Sequence, residues 1–256
     1  MTEKLLQFRN LKLTSYETVH FFHSFTRTPL WIEALDIAEG ELVGIIGESG
    51  AGKSLLAEVI VGGLATNIDM SGDLFYKGKR LDNPLRQIHR GKEWFYVPQS
   101  TLSLNPLLRM EAQLKVFGER LPEDIWQTVG LQEEDLQKYP HELSGGMKKK
   151  MLFLFAMMQQ RELLIADEPT RGLDSASVTI IEQALCRQHR AGATCLIISH
   201  DFEWLLGIAQ RIIVMRDGGV VEHFVVDDMH DMAQRHPYTQ QLWHSQPQRT
   251  FIEGRI

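Results

Sequence analysis

The segment Gly47-Glu48-Ser49-Gly50-Ala51-Gly52-Lys53-Ser54 fits the pattern G-x-x-x-x-G-K-[ST] at every fixed position. Residues of these types at this spacing suit the binding of a nucleoside triphosphate. Gly47 and Gly52 let the backbone turn and approach closely, Lys53 can reach the β- and γ-phosphates, and the Ser54 hydroxyl can ligate Mg²⁺. Two downstream groups suit the same chemistry. Asp167 and Glu168 close the apolar run Leu163-Leu164-Ile165-Ala166, and His200 follows the run Ala193 to Ser199. Asp167 can hold the metal through its water shell. Glu168, one residue further and pointing to the other side, can polarise a water that attacks the γ-phosphate. His200 can contact that phosphate and steer the water. The plainer readings are a surface carboxylate opening a Pro turn at Glu168 and a structural histidine at His200.

The flanking sequence has to position these groups. Leu42-Val43-Gly44-Ile45-Ile46 suits a strand buried on both faces of a parallel sheet, and Leu55, Leu56, Val59, Ile60 and Leu64 recur at helical spacing. Strand, glycine loop and helix in that order aim backbone N–H groups and a helix N-terminus at one anion. Ligands sit at the carboxyl ends of strands in such sheets, which places Asp167 and His200 beside the loop. Earlier, Lys4 to Leu13 alternates apolar and polar residues and reads as an edge strand, with Leu30 to Ile37 a second strand. Tyr16, Phe21, Phe22 and Phe25 lie between them; Tyr16 either stacks on a purine ring or packs in the core.

Further on, Leu74 to Tyr76 and Trp94 to Val97 read as strands, the latter ending at Pro98-Gln99. Residues from about 100 to 160 carry helical patterns broken at Asn105-Pro106, Pro122 and Tyr139-Pro140, which reads as a helical insertion in an α/β core. Inside it stands Leu143-Ser144-Gly145-Gly146-Met147. Ser144 is a good N-cap, and the two glycines leave N–H groups open to an anion. Lys148, Lys149 and Lys150 form either a solvated helix face or a support for phosphate. Arg211 to Met215, Asp217-Gly218-Gly219 and Val220 to Glu222 read as a hairpin closing the sheet, and the polar tail from Asp227 as partly helical.

Composition narrows the function classes. The 256 residues suit one large α/β domain, and contents of 43% hydrophobic and 23% charged residues are ordinary for a folded protein. With 27 basic against 33 acidic residues, the net charge is −6, so DNA and RNA are not expected ligands. The longest apolar run, Met151 to Met158, is too short to span a bilayer, and no signal-peptide pattern opens the chain. A cytoplasmic protein is expected, with any membrane role exercised through a partner. Cys186 and Cys195 read as reduced thiols without redox or zinc chemistry.

The ordered set of Tyr16, GESGAGKS at 47–54, Gln99 in VPQS, LSGGM at 143–147, LLIADEP at 163–169, Gly172-Leu173-Asp174 and His200 in ISHD resembles the nucleotide-binding subunit of an ABC transporter. The resemblance covers nearly the whole chain. It implies a P-loop NTPase (RecA-like) core with an N-terminal antiparallel β-subdomain and an inserted α-helical subdomain. Core and β-subdomain would take 1–98 and 160–226, the helical signature subdomain 99–159, and a tail 227–256. It implies ATP and Mg²⁺ as cofactors, with Glu168 as general base, His200 on the γ-phosphate, and Ser54, Gln99 and Asp167 around the metal. Ser144 and Gly146, with Gly145 between them, look like signature residues contacting ATP on the opposite subunit, and Asp174 would lie across that interface. The implied partners are a second ABC ATPase subunit, two transmembrane permease subunits and, indirectly, an extracytoplasmic solute-binding protein. The implied location is peripheral, on the cytoplasmic face of the cell membrane.

Arg235-His236-Pro237-Tyr238-Thr239 and Ser103-Leu104-Asn105-Pro106-Leu107 look like the oligopeptide, dipeptide and nickel importer branch, and the SGGM signature is similar to its nickel or metallophore members. The chain departs from that pattern at several positions. The tail carries no cysteine cluster, so an iron–sulfur centre is not expected. Met147 and the lysines after it replace the usual signature Gln and its neighbours, and Arg171-Gly172 replaces the usual Thr-Ala. Ile252-Glu253-Gly254-Arg255 spells a protease recognition sequence and is given no role. Other classes explain less. The stretch between Gln99 and Ser144 lacks the heptads of a DNA-repair ABC ATPase. A ribosome-binding ABC protein would carry two motif sets, a P-loop kinase leaves the signature and His200 unexplained, and a non-hydrolysing regulatory subunit predicts loss of Glu168. The irregular spacing of His223, His230, His236 and His244 favours surface histidines over a metal site.

Overall fold

The computed structural model describes residues 3–19, 23–90, 92–117, 125–158, 161–228 and 232–246. Phe21, Phe22, His230 and the 252–255 segment, all weighed above, lie outside them, as does the side chain of Phe25. Two long strands open the fold, β1 (Lys4–Val19) and β2 (His23–Ala38), followed by β3 (Leu42–Ile46) and α1 (Lys53–Val61). Next come β4 (Ile68–Tyr76), β5 (Lys79–Arg80), α2 (Asn83–His89) and β6 (Trp94–Val97). After α3 (Met110–Leu114) and α4 (Gly145–Met157) follow β7 (Leu163–Asp167), α5 (Ser175–Arg190), β8 (Thr194–Ile198) and α6 (Phe202–Ile208). The hairpin of β9 (Arg211–Arg216) and β10 (Gly219–Val225) precedes the last helix, α7 (Pro237–His244).

A six-stranded sheet in the order β10-β9-β3-β8-β7-β6 carries the site. Its strands are parallel except β10, which pairs antiparallel with β9. β3, β7 and β8 are buried at every residue, as five-residue apolar strands covered on both faces must be. Leu42 and Ile46 of β3 join one core with α4, α5 and α6, while Val43 and Ile45 join the other, with α1 and the N-terminal strands. Because β3, β6, β7 and β8 run parallel, the residues that follow each of them emerge at one edge. That shared edge is what gathers Gly47, Gln99, Glu168 and His200.

The second sheet, ordered β2-β1-β4-β5, corrects one expectation. β1 is an interior strand, with Phe8 opposite Leu35 on one side and Leu74 on the other. The apolar residues of Lys4 to Leu13 report burial, here at Leu6 and Phe8 and, past the irregularity at Asn10 (φ +48°), at Leu11 and Leu13, and say nothing about how many neighbours pair with the backbone. The strands also run longer than expected from their apolar residues, β1 through Tyr16 and β4 from Ile68. The described part of the segment between β6 and β7 carries helices and turns. Apart from α4, its described part consists of short helical turns, since proline and glycine recur too often for long helices. Among the described residues no helix is long and apolar enough to cross a membrane.

Candidate active site

The loop between β3 and α1 follows from its glycines. A Cβ at Gly47 would run into the Met215 carbonyl oxygen, and Gly52 takes the left-handed conformation (φ +92°) that a side chain disfavours. The turn brings Lys53 back over its own loop, where Nζ donates to Gly47 O at 2.7 Å and to Glu48 O at 2.8 Å. Phosphate oxygens are stronger, charge-assisted acceptors for the same amine. Burial lowers the Lys53 pKa, opposed by the charges of Glu168 and Asp167.

Gly47, Ser49, Gly50, Ala51, Gly52, Lys53, Ser54, Gln99, Asp167, Glu168 and His200 line one cleft of about 370 Å³. Asp167 is 2% exposed, and its Oδ1 has no hydrogen-bond partner among the described residues. Burial, followed by the neighbouring charge of Glu168, raises its pKa, while a Ser54 hydroxyl bond, the Lys53 charge and a Tyr96 hydroxyl bond oppose the shift. A buried carboxylate oxygen without such a partner, in a side chain that lines the cleft and bonds a serine hydroxyl, fits a hard divalent cation.

Glu168 has φ +49°, a strained conformation for a residue with a side chain. Strand neighbours normally point to opposite faces. This kink breaks the alternation, so Glu168 lines the same cleft as Asp167 and does not point away from it. The turn is held from two sides: Glu168 N–H donates to Ile198 O at 2.9 Å, and Lys149 Nζ donates to Glu168 O at 3.0 Å and to Arg171 O. His200 Nδ1 lies 2.6 Å from Glu168 Oε2. A carboxylate in a pocket, paired with a histidine and adjacent to a metal-suited aspartate and a phosphate loop, can activate water for attack on a phosphorus atom.

A family model described as ABC transporter matches residues 33–171, more than half of the chain. The chain belongs to the ABC transporter family. The ABC chain is 30% identical, over 96% of its own length and 74% of the relative, to the dipeptide transport ATP-binding protein DppD of Lactococcus lactis subsp. cremoris. It is 33% identical, over 98% and 80%, to the oligopeptide transport ATP-binding protein AppD of Bacillus subtilis. Among solved structures, a dimeric ATP-binding cassette in a post-hydrolysis state bound to ADP and Pi superposes with a TM-score of 0.72. It shares 24% identity and covers 87% of this chain and 99% of that one, which shows the shared fold. The α/β P-loop architecture expected from the motifs is thus the observed one.

Six expected site residues stand outside the cleft lining. Tyr16 is 46% exposed on β1, so it is not a core ring, and its N–H bonds Asn67 O at 2.9 Å. The Glu48 side chain is exposed. Ser144 is exposed and caps α4, its Oγ accepting from Met147 N–H at 3.2 Å. Gly145 is exposed and Gly146 half-buried. Asp174 is exposed and caps α5 through Ser177 N–H at 2.8 Å.

Three contributors were not read from the sequence. Arg171 lines the cleft, Lys149 anchors the Glu168 turn, and Tyr238 of α7 accepts a hydrogen bond from Glu48 N–H at 3.1 Å. Of the two readings of the lysine run, a solvated face or a support for phosphate, Lys149 follows neither: it is half-buried and its amine bonds the Glu168 and Arg171 carbonyls beside the cleft. Nothing local to Tyr238 points to a partner so distant in sequence.

Proposed function

We propose that this ABC subunit hydrolyses ATP to drive uptake of short peptides through an importer. The observation that carries the reading is the gathering of Lys53, Ser54, Asp167, Glu168 and His200 in one cleft, in a chain whose relatives include dipeptide and oligopeptide transport ATP-binding proteins. In this reading the loop amides and Lys53 bind the triphosphate, and Tyr16, exposed on its strand, offers a ring to the purine. Ser54, Asp167 and Gln99 would hold Mg²⁺, which neutralises phosphate charge when bound. Glu168 takes the proton of the attacking water, and His200 orients the γ-phosphate.

Ser144, Gly145, Gly146 and Asp174 serve a second ATPase subunit. The exposure of Ser144, Gly145 and Asp174, and the place of all four outside this chain's own cleft, support that role. Two such subunits would close over two nucleotides and reopen on hydrolysis, moving two permease subunits supplied by a solute-binding protein. The chain would lie peripherally on the cytoplasmic face of the membrane. Its functional parts would be the core and β-subdomain at 1–98 and 160–226, the signature subdomain at 99–159 and the tail at 227–256. The relatives named above carry peptide names, so the nickel or metal-chelate solute gains nothing from them.

The test reconstitutes the chain with its co-purifying permease and ATPase partners and measures ATP hydrolysis with binding proteins loaded with short peptides or with a nickel chelate. Stimulation by peptide-loaded protein alone is expected. Stimulation by the nickel chelate alone, or full activity without membrane partners, contradicts the peptide reading.

A further inference from the structure

The tail helix reaches the phosphate loop. Tyr238 is 3% exposed, and its hydroxyl oxygen accepts from Glu48 N–H at 3.1 Å. The carbonyl of the same peptide unit, Gly47 O, accepts from Lys53 Nζ at 2.7 Å. In a trans peptide the C=O and N–H point in opposite directions, so Tyr238 and Lys53 grip one peptide plane from its two sides. The tyrosine is itself fixed. The Arg216 guanidinium lies over its ring at 4.9 Å, and its own N–H donates to His236 Nδ1 at 3.1 Å. Next to it, Thr239 Oγ1 donates to Glu222 Oε2 on β10 at 2.6 Å. Just beyond the helix, Gln246 Nε2 donates to His200 O at 3.0 Å, so the tail also touches the backbone of the second phosphate-facing segment.

We propose that Tyr238 is a positioning residue for nucleotide binding: its hydroxyl sets the Gly47–Glu48 peptide plane and thereby presents Lys53 to the β- and γ-phosphates. A flip of that plane turns Gly47 O away from the lysine and removes one of the two acceptors that hold the amine at the loop. The inference rests on the reading of Lys53 as the phosphate-binding lysine. It adds that the tail, 190 positions away in sequence from Glu48, is part of the loop's support and that nucleotide affinity depends on the Tyr238 hydroxyl.

The test uses the full chain and compares Mg-ATP affinity by calorimetry, together with KM and kcat for hydrolysis, in wild type, Tyr238→Phe, Thr239→Val and Lys53→Ala. Tyr238→Phe removes one hydroxyl and is expected to weaken ATP binding roughly 3- to 10-fold and to raise KM equally at unchanged kcat. Thr239→Val loosens the helix from Glu222 but keeps the tyrosine hydroxyl, and is expected to leave ATP affinity unchanged. ATP affinity at the wild-type level in Tyr238→Phe overturns the inference. So does equal weakening in both tail variants with matching losses of melting temperature, since that is the signature of helix docking alone. If Lys53→Ala binds ATP as well as wild type, the phosphate-loop reading itself falls.

Discussion

His200 Nδ1 stands 2.6 Å from Oε2 of Glu168, joining an exposed histidine (62% side-chain exposure) to a nearly buried carboxylate (10%). An ionised carboxylate only accepts, so with Glu168 ionised the contact needs the proton on Nδ1 and leaves Nε2 for a phosphate or a water. The pair spans the carboxyl ends of the adjacent parallel strands β7 and β8, and the same junction is fixed by Glu168 N–H on Ile198 O. One histidine can therefore orient the base and face the nucleotide.

Replacing that histidine separates the two tasks from binding. His200→Ala is expected to lower ATP turnover on the order of 10²-fold while ATP affinity stays within about threefold. Steady-state hydrolysis and a binding titration check this, and a wild-type rate would reduce the pair to a surface contact.

Lys149 acts on the same turn from behind. Its amine holds the carbonyls of Glu168 and Arg171, and burial lowers its pKa against the opposing pull of Glu168. Lys149→Met removes charge-assisted bonds to a strained segment, and turnover is expected to drop roughly tenfold with ATP affinity retained. Lys149→Arg should recover part of the rate. An unchanged rate in Lys149→Met would show that the turn holds itself.

Asp167 predicts a trade between stability and function. Burial raises its pKa, so the folded chain binds that proton more tightly than the unfolded chain does, and stability falls as pH rises through the window between the two values. Above that window the penalty is complete. At neutral pH, Asp167→Asn is expected to raise the melting temperature of the nucleotide-free chain by about 2–4 °C, the equivalent of about 1 kcal/mol, and to abolish hydrolysis. The gain should shrink as pH is lowered through the raised value. Thermal scans at several pH values measure it, and a lower melting temperature in the variant at neutral pH would contradict the cause assigned.

Much of the site was legible because its residues announce themselves locally. The loop at 47–54 has a fixed spacing, and Asp167 and His200 follow apolar runs whose parallel pairing delivers them to one edge. Gln99 follows β6 by the same logic. What was not legible depends on contacts far apart in sequence or on backbone angles. Whether β1 has one neighbour or two is decided by β4 folding back onto it, which the pattern of Lys4 to Leu13 does not encode. The left-handed turn at Glu168 appears in no residue preference, since glutamate rarely adopts it. Lys149 and Tyr238 gain their roles from carbonyl and amide partners that carry no side-chain signature.

The central claim is that Glu168 takes the proton of the attacking water. Glu168→Gln keeps the shape and the hydrogen-bonding reach of the side chain and removes its basicity. Single-turnover hydrolysis of Mg-ATP by the variant, with ATP affinity measured in parallel, tests the claim most directly. The account predicts ATP binding within about threefold of wild type and a hydrolysis rate lowered by roughly 10²- to 10⁴-fold. Hydrolysis near the wild-type rate with intact binding would place the base elsewhere.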